Sequence, residues 1–216
     1  MPEVVIAARG GPDAKSRLAP MLSPEDRDTL TTRMLQDMLH ELVHARPAVR
    51  ISVVTTTPGI AEAARRRGAA VILQSEPADL NDAFNLALEV VAERAPSDTV
   101  ALLMGDLPLI EASDLEAAFL LLKTHAVALA PAVADAGTNA ILLRAGARFP
   151  LRFGPESFGR HRALAEAAHL STAMIAAESF SFDVDRPEDL ARVVATAPRS
   201  STGRFLRQRL WPRVPS

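Results

Sequence analysis

Apolar residues fall in short runs separated by longer stretches of helical spacing, and this alternation continues down the chain. Strand-like runs stand at Val4–Ala8, Val49–Thr55, Ala70–Leu73, Thr99–Met104, Ala126–Ala130, Ala140–Leu143 and Phe180–Asp183. The first, fourth and fifth are almost wholly apolar, as strands buried on both faces tend to be. Between them Leu30, Met34, Leu35, Met38, Leu39 and Leu42 recur at helical spacing. Ala83, Phe84, Ala87, Leu88 and Val91 mark one face of a helix over Asp79–Ala95. Ser23-Pro24-Glu25-Asp26 supplies an N-cap, a proline at the first helical position and an early acid. Ser113 with Glu116 suggests a second capping box, and Pro187–Thr196 a last short helix. Strands alternating with helices predict an α/β fold, a mostly parallel Rossmann-like sheet flanked by helices.

A chain of 216 residues favours one large domain, and 48% hydrophobic residues suffice to build its core. We place the domain at residues 1–198. Arg199–Ser216 differs in composition, with five arginines and no acid. It reads as a basic, solvated tail, or alternatively as a subunit contact through Phe205, Leu206, Leu210 and Trp211, compatible with a homodimer. The formal charge of −2 gives no reason to expect nucleic acid as a partner. The absence of cysteine excludes disulfide and thiolate chemistry. No apolar stretch approaches about 18 residues, so no membrane span is expected. No basic region precedes Val4, so no signal peptide is expected either. A cytoplasmic location fits these features.

Candidate chemistry begins after the first strand, at Arg9-Gly10-Gly11-Pro12-Asp13-Ala14-Lys15-Ser16-Arg17-Leu18. Glycines there let backbone approach a ligand, and ligands of open α/β sheets bind beyond the carboxyl ends of the strands. Arg9, Lys15 and Arg17 bring the charge a triphosphate needs. The loop matches neither GxxxxGK[ST] nor GxGxxG. Lysine is otherwise present only at Lys123.

Gly105-Asp106-Leu107-Pro108 follows an apolar strand, which sets Asp106 at the sheet's carboxyl edge. Asp183-Val184-Asp185 precedes the proline-started helix. Asp185 suits the N-cap of that helix as well as a ligand role. Magnesium takes hard oxygen ligands, few of them protein carboxylates. We expect Asp106 and one of Asp183 and Asp185 to share one such ion.

These residues resemble the coenzyme F(420) guanylyltransferases of deazaflavin coenzyme biosynthesis, whose acceptors are 2-phospho-L-lactate, phosphoenolpyruvate or 3-phospho-D-glycerate. The resemblance spans roughly Val4 to Ala195. Its carriers are Ala14-Lys15-Ser16-Arg17-Leu18-Ala19-Pro20, Leu80-Asn81-Asp82-Ala83, Gly105–Pro108, Gly137-Thr138-Asn139-Ala140, Arg152–His161 and Asp183–Leu190. It implies a glycosyltransferase-A-like nucleotidyltransferase fold, with magnesium held by Asp106, Asp183 and Asp185. It implies acceptor binding by Thr138, Asn139, Gly154 and Ser157. Local chemistry agrees: Gly154–Ser157 reads as a helix start, where free N–H groups favour an anion, and Arg160 adds charge nearby. The family's lysine after strand one is Arg9 here, which keeps the charge but changes the contact geometry.

The expected reaction is GMP transfer from GTP to the acceptor phosphate, with pyrophosphate leaving. Lys15, Arg17, Asp106 and Asp185 carry it. Arg9, Gly10, Gly11 and Lys15 hold the nucleotide, and Asn81 and Asp82 lie near guanine. Two rivals stand beside this reading: another transferase of the same fold, such as a molybdenum-cofactor guanylyltransferase, a sugar-phosphate nucleotidyltransferase or a glycosyltransferase, and a non-catalytic nucleotide-binding or regulatory protein, whose mark would be loss of a metal carboxylate. The Arg152–His161 segment argues against the first, and the retained carboxylates against the second.

Overall fold

The computed structural model describes residues 1–11, 13–75, 79–94 and 98–211. Pro12, Ala95, at the end of the helix expected over Asp79–Ala95, and residues 212–216 of the arginine-rich end lie outside them. Seven strands form one sheet: β1 (Glu3–Ala7), β2 (Arg50–Thr55), β3 (Ala70–Leu73), β4 (Val100–Met104), β5 (Val127–Pro131), β6 (Thr138–Leu143) and β7 (Thr172–Met174). Their order is β3-β2-β1-β4-β6-β5-β7. All neighbours are parallel except β6, which runs antiparallel to both β4 and β5.

Alternate residues of the central strands enter two separate cores. Val4, Ile6, Ala101, Leu103, Ala140 and Leu142 pack on one face. Val5, Leu102, Ile141 and Leu143 pack on the other. Period-two alternation with apolar residues at both phases is what a sheet covered on both sides demands. The covering helices are α1 (Pro24–Leu42), α2 (Pro58–Arg66), α3 (Leu80–Arg94), α4 (Ala112–Leu121) and α5 (Ser157–Ala167). One turn, α6 (Glu178–Ser181), and then α7 (Pro187–Thr196) and α8 (Ser201–Leu210) complete the set. Ser23 caps α1 as expected, its side chain accepting from the Asp26 N–H at 3.2 Å. Asp79 and Asp82 cap α3 reciprocally.

Three local expectations give way. Phe180–Asp183 is not a strand: Phe180 lies in α6, and the seventh strand is Thr172–Met174, paired with β5. The Phe-Ser-Phe alternation reflects two different cores, Phe180 under the sheet and Phe182 beside α7. The box at Ser113 and Glu116 does not form. The helix starts at Ala112 after Glu111, and Glu116 instead accepts from the Arg46 N–H at 2.6 Å.

The third concerns the basic end. Residues 200–210 are a docked helix rather than a solvated tail. The Ser200 side chain accepts from the Gly203 N–H, and the Asp37 carboxylate of α1 accepts from the Ser201 and Thr202 N–H groups at 2.7 and 2.8 Å. A carboxylate at a helix N-terminus satisfies open donors and opposes the dipole. Leu206 is fully buried among Leu30, Met34, Leu190 and Val193, so it serves its own chain and no partner. Composition drew attention to the arginines, of which Arg199, Arg204, Arg207 and Arg209 are exposed. Leu206→Ala is expected to destabilise the protein by about 2–5 kcal/mol, read from urea denaturation.

Candidate active site

The first loop leaves β1 under tight control. The Gly10 N–H donates to Thr57 Oγ1 at 3.1 Å and the Gly11 N–H to Asp28 Oδ1 at 2.7 Å. Gly11 has φ 106°, a backbone conformation that favours glycine. Lys15 then takes the left-handed conformation, φ 51° and ψ 42°. That costs a non-glycine residue roughly 1–2 kcal/mol, and such strain collects at functional sites. The reversal is secured from both sides. Buried Arg27 donates from Nε to the Ala14 carbonyl at 3.0 Å, and Leu18 anchors in the core of α1, α7 and α8.

The reversal aims the Lys15 ammonium at the end of β4. It pairs with Asp106 Oδ2 and lies 3.6 Å from Asp185 Oδ1. Arg17 pairs with the other Asp185 oxygen. Asp106 reaches this point because Gly105 closes on β1: a Cβ there would stand 2.6 Å from the Ala7 carbonyl oxygen and 2.7 Å from Ala8 Cβ. The second acidic stretch is stitched to the first through backbone, the Val184 N–H donating to the Asp106 carbonyl at 3.1 Å. Val184 is buried. Asp183 and Asp185 are two residues apart and share the other side of this extended segment. So both carboxylates join Asp106, where the sequence led us to expect one. Asp185 is free to do so because Asp189 accepts the Asp185 and Arg186 N–H groups at the start of α7.

The charges feel one another. Burial, and then the neighbouring Asp106 charge, push the Asp183 carboxyl above its usual range, against the amide bond it accepts from Asn139 at 3.1 Å. Burial pulls on Lys15 in the opposite sense, but Asp106, with Asp185 and Asp183, outweighs it and holds the ammonium above its ordinary value. Among the described residues no three or more His, Cys, Asp or Glu side chains are set to enclose a metal ion. Magnesium does not require such a cage, since it keeps waters and substrate phosphates as ligands. The donor set fits it on one further observation: Asp106 Oδ1 is buried with no hydrogen-bond partner.

Beside the carboxylates, β6 begins with Thr138 and Asn139. Thr138 belongs to a buried chain of polar groups. The Arg152 N–H donates to His161 Nε2 at 2.8 Å, which puts the ring proton on Nδ1, 2.9 Å from Thr138 Oγ1. The Ser157 hydroxyl donates to the same oxygen at 3.0 Å. His161 is fully buried, and burial, with the Arg160 charge second, lowers its pKa to about 4. The start of α5 differs from the expected open anion site. The Glu156, Ser157 and Phe158 N–H groups donate to the carbonyls of Asp135, Gly154 and Ala136, because the helix docks on the β5–β6 turn. Gly154 and Arg160 are exposed.

A cleft of about 680 Å³ opens over the carboxyl ends of β1 to β4, lined by Arg9, Gly10, Gly11, Lys15, Asp106 and Asp185 among others. Asn81 and Asp82 are not in its wall. The Asn81 side-chain oxygen accepts from the Phe153 N–H at 2.7 Å, and Asp82 is spent on the helix cap. Asp79, Gln74 and Thr56 line the cleft instead. The sequence carried a readable hint for the loop anchor only, since Thr57 before Pro58 is an N-cap signature.

The profile of the family described as "Guanylyl transferase CofC like" matches residues 3–211. The chain belongs to this family. It is 45% identical over 195 residues to a 3-phospho-D-glycerate guanylyltransferase of Phenylobacterium zucineum, covering 89% of each chain. It is 36% identical over 185 residues to a phosphoenolpyruvate guanylyltransferase of Sphaerobacter thermophilus, covering 86% of this chain and 88% of that one. The fold is shared with a putative nucleotide-diphospho-sugar transferase of Desulfovibrio desulfuricans, with TM-score 0.78, 19% identity, and coverage of 96% and 94%. The glycosyltransferase-A-like expectation is thereby met, and this guanylyltransferase family places the Lys15–Asp106 cluster on a nucleotidyltransferase scaffold.

Neutral His161 makes stability depend on pH. Its folded pKa lies below the usual 6.5, so the unfolded chain binds the extra proton first. Stability is complete above about pH 6.5 and falls toward pH 4 by about 3 kcal/mol. In His161→Gln an amide can serve both partners without titrating. The difference between wild type and His161→Gln in urea denaturation, followed from pH 7 to 4, is expected to show this slope.

Proposed function

We propose that the protein transfers GMP from GTP to the phosphate of a small phosphorylated carboxylic acid, as a cytoplasmic step of coenzyme F(420) biosynthesis. The observation that carries this reading is the meeting of Asp106, Asp183 and Asp185 with Lys15 at the end of β4. No helix among the described residues is long and apolar enough to cross a membrane, and both proposed substrates are water-borne.

The acceptor phosphate oxygen forms a bond to the α-phosphorus of GTP while the bond to the β-phosphate bridging oxygen breaks, and pyrophosphate leaves. A phosphate dianion is already a nucleophile near pH 7, so the protein's work is positioning and charge neutralisation. Lys15 and Arg17, both already at the carboxylate cluster, neutralise the triphosphate and the departing pyrophosphate. Gly10 and Gly11 let the chain pass close to it. Exposed Gly154 and Arg160 meet the acceptor on the β6 side, while Thr138, Asn139 and Ser157, buried and bonded within the protein, fix the frame behind them. Asp106, with Asp183 and Asp185, would hold magnesium, which would supply the positive charge that lets two phosphates approach.

3-Phospho-D-glycerate is the first acceptor to try, since the relative with 45% identity carries that name. Incubation with GTP, magnesium and each of the three acids, followed by pyrophosphate release, is expected to give turnover with at least one. Silence with all three would remove the proposal. Asp106→Asn is expected to lower turnover by about 100-fold or more, with urea denaturation showing a folded protein. Lys15→Ala is expected to weaken GTP binding about tenfold or more in calorimetry.

A further inference from the structure

The two ends of the cleft differ. Lys15, Asp106 and Asp185 fix the phosphate end. The start of β6, on the far side of β4, is the proposed acceptor side. A donor whose α-phosphorus lies at the carboxylates must therefore extend its nucleoside the other way, over the ends of β1, β2 and β3. The wall there is apolar at Val54, Leu80 and Ala83, as a flat aromatic base requires.

The polar side chains in that half are few, and most are committed. Thr55 Oγ1 accepts from the Thr57 N–H at 3.0 Å, and Thr57 Oγ1 accepts from the Gly10 N–H. Thr31 donates to the Arg27 carbonyl at 3.1 Å. Asp79 Oδ1 accepts from the Asp82 N–H at 2.8 Å. Of the lining side chains that follow β2 and β3, what remains without a hydrogen bond among the described residues is the Thr56 hydroxyl, the Gln74 carboxamide and the second Asp79 oxygen; Asp13, also in the wall, belongs to the first loop on the phosphate side. A hydroxyl both donates and accepts, so Thr56 selects no base. The other two are directional. The Gln74 backbone is held by its N–H, which donates to the Thr55 carbonyl at 2.9 Å, and the Asp79 carboxylate by its cap.

We propose that Asp79 and Gln74 select guanine, Asp79 accepting from the base's N1–H and 2-amino group and Gln74 donating to O6. The assignment rests on the reading of GTP as donor. An ionised carboxylate is an acceptor only, so it matches the two adjacent donors of guanine and opposes the bare N1 of adenine. A site built to bond a substrate N–H discriminates strongly against an analogue lacking it, because its own polar group is left unpaired.

The test is a base swap. Asp79→Asn keeps the helix cap, since asparagine and aspartate cap equally well, but presents a donor where the carboxylate accepted. Competition of GTP, XTP, ITP and ATP for binding to the full chain, measured by calorimetry, is compared with pyrophosphate release using the same four nucleotides. Wild type is expected to prefer GTP to ITP, which lacks the 2-amino group, and to XTP. Asp79→Asn is expected to lose about 10- to 100-fold for GTP and to gain for XTP, whose 2-carbonyl accepts, so that the GTP/XTP ratio moves toward inversion. Gln74→Leu is expected to narrow the GTP/ATP ratio. Unchanged GTP/XTP and GTP/ITP ratios in Asp79→Asn would overturn the assignment. Wild-type GTP binding with no pyrophosphate release from any acceptor would instead strike at the transfer reading, and the binding ratios would still decide the roles of Asp79 and Gln74.

Discussion

One ammonium group holds the site together. Asp106, Asp183 and Asp185 come from two stretches almost eighty residues apart in sequence and end in one small region. Two like charges at about 4 Å repel by about 4 kcal/mol at an effective dielectric near 20. The Lys15 ammonium stands between Asp106 and Asp185, and Arg17 closes on the latter. Without that cation the acids would repel one another, and the loop from α6 to α7 would be held against that repulsion by the backbone bond from Val184 to Asp106, the Asn139–Asp183 hydrogen bond, the Arg17–Asp185 pair and the burial of Phe182 and Val184.

Lys15 can act this way because its own position is over-determined. Thr57 and Asp28 hold the glycine pair, Arg27 holds Ala14, and Leu18 is locked in the core that α8 completes. The basic C-terminal helix thus bears on the site through packing. Leu206 fills the cluster that seats Leu18 and Val184, and these flank Lys15 and the acidic pair in sequence. The same logic applies on the acceptor side, where buried His161 keeps Thr138 and Ser157 in one hydrogen-bonded arrangement.

Much of this was legible from residues alone. The ends of the first six strands, the cationic glycine loop and Asp106 after an apolar strand all follow from local pattern, and each landed within a residue or two of its expected place. The failures share a cause. Asn81, Ser113 and the start of α5 were read as free polar groups or caps. In the fold Asn81 serves Phe153, Glu116 serves Arg46, and the N–H groups at α5 serve the β5–β6 turn. Whether a polar group is free depends on what packs against it, which no local window contains.

The alternation of elements, the chemistry of the first loop and the acids that could face it rest on the periodicity and side-chain chemistry of neighbouring residues, and so are written in the order of the amino acids. The direction of β6 was decided only in three dimensions. Running against β4 and β5, with Leu103 opposite Ala140, it delivers its first residues, Thr138 and Asn139, to the carboxyl edge where Asp106 stands. A parallel β6 would have left them at the other end of the sheet. Strand direction is set by non-local pairing, so the meeting of the two halves of the site is a property of the tertiary structure.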